Sequence, residues 1–128
     1  MPNPESIKKG REVLQQLRGG GPVSGGATEE VAPDFWEMTL GNLFGEVWTR
    51  PGLPIRDRSL ITMAVLTALA RTEELRGHMS NALNIGISKE EIVEMFTHVA
   101  HYAGWPTGVN AARVAKDVFS SRDSAPRG

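Results

Sequence analysis

The sequence predicts an all-α fold of about six helices, and three observations lead there. In six successive segments apolar residues recur at three- and four-residue spacing, as on one face of a helix. The breaks between those segments are rich in glycine and proline, which punctuate helices. No stretch alternates apolar and polar residues as a half-buried strand would.

Asn3 is suited to cap a first helix with Pro4 at its opening position, where the missing N–H costs nothing. Ile7, Val13, Leu14 and Leu17 carry that helix over about 4–18. Residues 19–26, Gly-Gly-Gly-Pro-Val-Ser-Gly-Gly, read as a flexible connector. Residues 1–34 are thus an N-terminal helix and loop, ahead of a helical domain over 35–121. A second helix is expected over about 34–48, capped by Asp34 and burying Phe35, Trp36, Leu40, Leu43, Phe44 and Val47. Arg50-Pro51-Gly52-Leu53-Pro54 stops it.

The segment 55–70 is apolar nearly all round and is expected to form a central buried helix. Its entry is charged, with Arg56 and Arg58 close to Arg50 upstream. Cations at a helix start oppose its dipole, so these arginines are candidates to hold an anion. Solvated charges are the plainer alternative.

Arg71 to Gly86 is the stretch on which the chemistry turns. Thr72 is a good cap, Glu73 and Glu74 suit the first turn, and Leu75, Met79, Ala82 and Leu83 form an apolar face. Gly86 supplies a helix end. Glu74 and His78 are four residues apart and therefore neighbours, with His78 turned toward the packed side. They are the one compact acid/base pair at local range.

Ser88-Lys89-Glu90-Glu91 forms a capping box for a helix whose apolar side is Ile92, Met95, Phe96, Val99, Tyr102 and Ala103. His98 stands at its margin, and His101 is expected to be more exposed. Gly104-Trp105-Pro106 ends that helix. A last helix over about 107–121 packs through Ala111, Ala112, Ala115, Val118 and Phe119, leaving 122–128 as a disordered tail.

Composition removes several function classes. At 128 residues the chain supports one core rather than two. A net charge of −1 gives no footprint for nucleic acid. No apolar run is long enough to span a bilayer, and the N-terminus lacks the features of a signal peptide, so the cytoplasm is the expected location. Cysteine is absent, which excludes thiol chemistry and cysteine-based zinc sites. His78, His98 and His101 have no metal-ligand spacing, and no phosphate-binding glycine loop occurs.

Five blocks in order resemble the carboxymuconolactone decarboxylase family. They are Gly45-Glu46-Val47-Trp48-x-Arg50-Pro51-Gly52-Leu53, then Arg56-x-Arg58-Ser59-Leu60-Ile61-Thr62, then Arg71-Thr72-Glu73-Glu74-Leu75-x-x-His78. Asn84-Ile85-Gly86-Ile87-Ser88-x-Glu90-Glu91-Ile92 and Tyr102-Ala103-Gly104-Trp105-Pro106 complete the match, which covers roughly residues 35–119. The resemblance implies an AhpD-like all-α bundle and a homotrimer or homohexamer. One branch of that family reduces peroxides through a CxxC pair. Here the matching positions are Arg71 and Glu74, with His78 kept as the histidine, so residue chemistry excludes that activity.

The other branch implies a cofactor-independent decarboxylase of 4-carboxymuconolactone in aromatic-ring catabolism. Loss of CO₂ leaves an electron pair that must delocalise into the lactone carbonyl. A site therefore needs a donor at that oxygen, a proton source and an anchor for a second carboxylate. His78 is the expected donor and general acid, with Glu74 orienting it or raising its pKa. Arg50, Arg56 or Arg58 would hold the carboxylate, and His98, Tyr102 and Trp105 would complete the substrate pocket. Two other readings stay open: a different acid/base reaction such as cyclisation, dehydration or isomerisation, and a non-catalytic ligand-binding oligomer.

Overall fold

The computed structural model describes residues 2–124, and every regular element among them is a helix. They are α1 (Pro4–Leu17), α2 (Gly26–Val31), α3 (Pro33–Met38), α4 (Ile55–Ala68), α5 (Thr72–Asn84), α6 (Lys89–Ala103) and α7 (Trp105–Ser124). Between α3 and α4, a π-helical segment (Thr39–Val47) follows α3 directly. The chain forms two compact units, divided between Ile55 and Arg56.

In the first unit α1 begins as its sequence demands. The Ser6 N–H donates to Asn3 Oδ1 at 2.8 Å, and Pro4 opens the helix. α1 packs on the π-helical segment with backbone against backbone. A Cβ on Gly10 would lie 1.6 Å from the Leu40 carbonyl oxygen, and one on Gly45 would lie 2.1 Å from that of Ser6. Trp36, Leu40, Phe44 and Trp48 are buried at strict four-residue spacing, and Val13, Leu14 and Leu17 of α1 are buried too. In an α-helix such a stripe drifts one way round the axis; in a wider i→i+5 helix it drifts the other way. Passing from α to π therefore keeps the four side chains in line.

That change of helix type corrects the expected burial of residues 34–48. Phe35, Leu43 and Val47 are exposed, because they belong to the neighbouring stripe. Asp34 is not the cap either: Ala32 holds that position, Pro33 is the first helical residue, and Asp34 lies in the first turn. The glycine-rich connector is tied by side chains, with Arg18 donating to the Ser24 carbonyl at 2.6 Å and Gln15 to that of Gly20 at 3.2 Å. It then enters the short helix α2, which the sequence analysis did not anticipate.

The second unit has one core, built from Met63, Leu75, Met79, Ile87, Ile92, Met95, Ala111 and Val118 among others. α7 packs on both α5 and α6. The Ser88 capping box is present in both directions, with Glu91 N–H donating to Ser88 Oγ and Ser88 N–H to Glu91 Oε1, each at 3.0 Å. Gly86 and Gly104 take φ of 96° and 115° where α5 and α6 end.

α4 is not the wholly buried helix expected of 55–70. Only Ser59, Met63 and Thr67 are buried along it, whereas Ile61, Val65 and Leu69 are half exposed or more. A single core touches one stripe of a helix, and the other apolar stripe is left outward. α4 closes with the Arg71 N–H bonded to the Leu66 carbonyl and the Ala70 N–H to that of Thr67, the Schellman pattern. Its left-handed position is taken by Ala70, at φ 56°, rather than by glycine. Arg71 consequently caps α5, and Thr72 is its first helical residue rather than the cap.

On α6, Tyr102 and Ala103 are exposed and not part of the apolar packing face, and on α7 Ala112 is exposed. Helix α7 runs to Ser124, so the expected tail begins inside it. Lys89 pairs with Asp123 at 2.7 Å and Arg122 donates to Asn84 Oδ1 at 2.6 Å, which fastens that end. The rest of the tail, 125–128, lies outside the described residues. Among the described residues no helix is long and apolar enough to cross a membrane.

Two glycine substitutions should move thermal stability in opposite directions. Gly10→Ala forces α1 away from the π-helical segment and should cost about 1–3 kcal/mol or more by overpacking. At Gly77, inside α5, a new Cβ meets nothing within 4 Å. Gly77→Ala should therefore gain roughly 0.5–1 kcal/mol from helix propensity alone. Differential scanning calorimetry of the two variants checks both signs.

Candidate active site

The site is built on α5. Leu75, Met79 and Ala82 are buried to 1% exposure or less, which fixes the rotation of the helix about its axis. His78 falls three residues after Leu75 and four before Ala82, so it is carried to the edge of the packed face. Its side chain is half-buried, with Nδ1 enclosed, while Glu74 one turn earlier is exposed. Burial pushes the imidazole pKa below its ordinary value, because a charged ring loses hydration there. The Glu74 carboxylate pulls in the opposite direction, and burial is the larger effect. Glu74 thus acts in the expected sense, but the net result is a histidine biased toward its neutral form.

The arginines separate into three environments. Arg50 is exposed and belongs to the first unit. Arg56, in the first turn of α4, forms an ion pair with Glu91 at the start of α6. Glu91 is held below the usual carboxylate range, first by the Ser88 backbone N–H and then by Arg56. Arg58 is half-buried with its Nε enclosed, and the next residue, Ser59, is wholly buried.

His98, Tyr102 and Trp105 follow the outer side of α6 and the start of α7. The His98 ring stacks on Tyr102 with centroids 5.0 Å apart, and His101 meets Trp105 edge-on at 5.5 Å. His98 borders two depressions between α4 and α6. One is of 450 Å³ beside Leu60, Glu94 and Met95, and the other is of 340 Å³ beside Ala64, Ala68 and Tyr102. Tyr102 is 84% exposed and Trp105 65% exposed, so neither lines an enclosed pocket in this single chain. Glu91 as the partner of Arg56 escaped the sequence reading; its capping role was legible, but an ion pair across 35 residues has no local signal. Among the described residues no group of three acidic or histidine side chains is placed to hold a metal ion.

Residues 33–117 match the model of the carboxymuconolactone decarboxylase family. The chain belongs to that family. It is 38% identical to a 4-carboxymuconolactone decarboxylase of Acinetobacter baylyi, over 98% of this chain and 96% of that protein. It is 31% identical to a nitrosuccinic acid decarboxylase of Metarhizium robertsii, over 91% of this chain and 80% of the relative. An uncharacterized 15.0 kDa protein of Paracoccus denitrificans is 31% identical, over 76% and 74%. In this member of the carboxymuconolactone decarboxylase family, the match takes in α5 with Glu74 and His78, α4 with its arginines, and most of α7.

The lowered His78 pKa sets a pH dependence. In the window between the folded value and the ordinary value near 6.5, the unfolded chain binds the proton and the folded chain does not. The contribution of His78 to stability is therefore present above the ordinary value and lost as pH falls through the folded one. NMR titration of the His78 ring should give a pKa below that of an unfolded histidine. Glu74→Gln should lower it further, since the opposing carboxylate charge is removed.

Proposed function

We propose that the protein is a cofactor-independent carboxy-lyase acting on a small carboxylated lactone, with 4-carboxymuconolactone as the leading candidate. The observation that carries this reading is His78, half-buried on α5 within the electrostatic reach of Glu74. Near-full-length similarity to a 4-carboxymuconolactone decarboxylase supports the choice of substrate, and with it a role in aromatic catabolism.

The chemistry follows from the electron pair. The bond from ring carbon to carboxylate breaks, CO₂ leaves, and its bonding electrons move through the unsaturated ring onto the lactone carbonyl oxygen. A donor already aimed at that oxygen lowers the barrier without reorganising water. His78 serves as that donor. An incoming carboxylate adds its negative field to that of Glu74, so the imidazole gains a proton as substrate binds. The imidazolium then returns a proton to the ring carbon, completing the enol-lactone. Of the candidate anchors for the remaining carboxylate, Arg58 is favoured, because it is half-buried at the start of α4 and a partly desolvated guanidinium attracts a carboxylate more strongly than an exposed one.

We further propose that the protein works as a homo-oligomer. Ile61 and Val65 of α4 and Leu69 just after it form a four-spaced apolar stripe, each at least half exposed. A second copy of the chain is the occupant that the expected trimer or hexamer supplies. Val65→Glu should reduce the mass measured by light scattering, and an unchanged mass would remove this stripe from any interface.

His78→Ala should lower kcat on 4-carboxymuconolactone by about 10²–10⁴-fold, with far-UV circular dichroism unchanged. Arg58→Lys should raise KM more than it lowers kcat, as expected of a residue that only holds a carboxylate. Wild-type rates in His78→Ala would end the catalytic assignment.

A further inference from the structure

The face of α5 opposite Leu75 and Met79 borders an open cleft, of 510 Å³, whose other side is α7. Arg76, Gly77 and Ser80 line it from α5, and Asp117, Ser121 and Arg122 line it from α7. The two guanidinium groups are held in place. Arg76 pairs with Asp117 at 3.2 Å, and Arg122 donates to Asn84 Oδ1 at 2.6 Å. Those bonds differ in a decisive way. Asp117 offsets the charge of Arg76, whereas the amide of Asn84 is neutral, and among the described residues no carboxylate forms an ion pair with Arg122. Two hydroxyls, of Ser80 and Ser121, share the same lining.

Gly77 adds an independent observation. It stands in the interior of α5, where glycine is unfavourable, and a Cβ there would meet nothing within 4 Å. Packing does not require glycine at this position. What the missing side chain does is leave the floor of the cleft open between the two arginines' helices. Arg113 borders an adjoining depression that shares Arg76 and Asp117, which adds a third guanidinium to this face. The opposing carboxylate, Glu73, lies in the first turn of α5, where the helix dipole offsets it.

We infer that the α5–α7 cleft is a binding site for a small oxyanion-bearing ligand, a carboxylate or a phosphate, separate from His78. Arg122 supplies the charge, its tether to Asn84 fixes the planar fork before the ligand arrives, and the two serines donate to the remaining oxygens. His78 points from a different face of the same helix, so a ligand here does not touch the imidazole. The inference does not depend on the decarboxylase reading.

Isothermal titration calorimetry of the full chain at low ionic strength tests it, with succinate and inorganic phosphate as separate probes and chloride as the control. Saturable binding of about one anion per chain is expected, and the probe that saturates identifies the oxyanion. Gly77→Leu should abolish that binding by filling the floor, with Tm equal to or above that of wild type. Arg122→Gln, a change at an exposed residue, should weaken it at least tenfold and keeps the test decisive if Gly77→Leu folds poorly. His78→Ala should bind as wild type does. Heat that does not saturate with either probe overturns the inference, as does binding that Arg122→Gln leaves unchanged.

Discussion

The rotation of α5 about its own axis is the constraint on which the rest of the second unit depends. Once Leu75, Met79 and Ala82 are sunk into the core, every other side chain of the helix has its direction set by about 100° per residue. Glu74 comes out toward water, His78 is held at the margin of the packed face, and Arg76, Gly77 and Ser80 are turned to the far side. One hydrophobic stripe therefore positions two chemically distinct surfaces. A change that re-seated Met79 would displace both together, even though it touches neither.

That margin explains the electrostatics of His78. A ring fully in water would feel Glu74 weakly through a high dielectric, and a ring fully in the core would never ionise. Half-burial lets desolvation dominate while leaving the imidazole responsive to a neighbouring charge. Such a group can be neutral in the empty site and cationic in the presence of an anion. The same physics separates Arg56 from Arg58. The former joins α4 to α6 through Glu91 at the surface, and the latter lies half-buried beside the buried Ser59.

Much of this was legible from local pattern. The helices over 4–17, 55–68, 72–84 and 89–103 follow from apolar spacing and from caps such as Asn3 and Ser88, whose geometry is fixed within four residues. The electrostatic reach of Glu74 to His78 is likewise a property of one helical turn. What escaped was whatever depends on a partner distant in sequence. Residues 55–70 are apolar on several sides, but only packing decides that Met63 is inside and Val65 outside. The bond between Arg56 and Glu91 spans two helix starts and has no signature in either. Tyr102 is expected on an apolar helix face and, with Trp105, in a substrate pocket, yet both stand in the open on this chain.

The π-helical segment carries a different kind of consequence, one for comparing chains rather than for energetics. Each i→i+5 turn holds one residue more than the α-turn it replaces. A relation of this protein lacking one residue between Thr39 and Val47 can close the same turn as ordinary α-helix, with the flanking residues still in register. A one-residue gap at that place in an alignment then marks a change of helix type, and the topology on either side of it is the same.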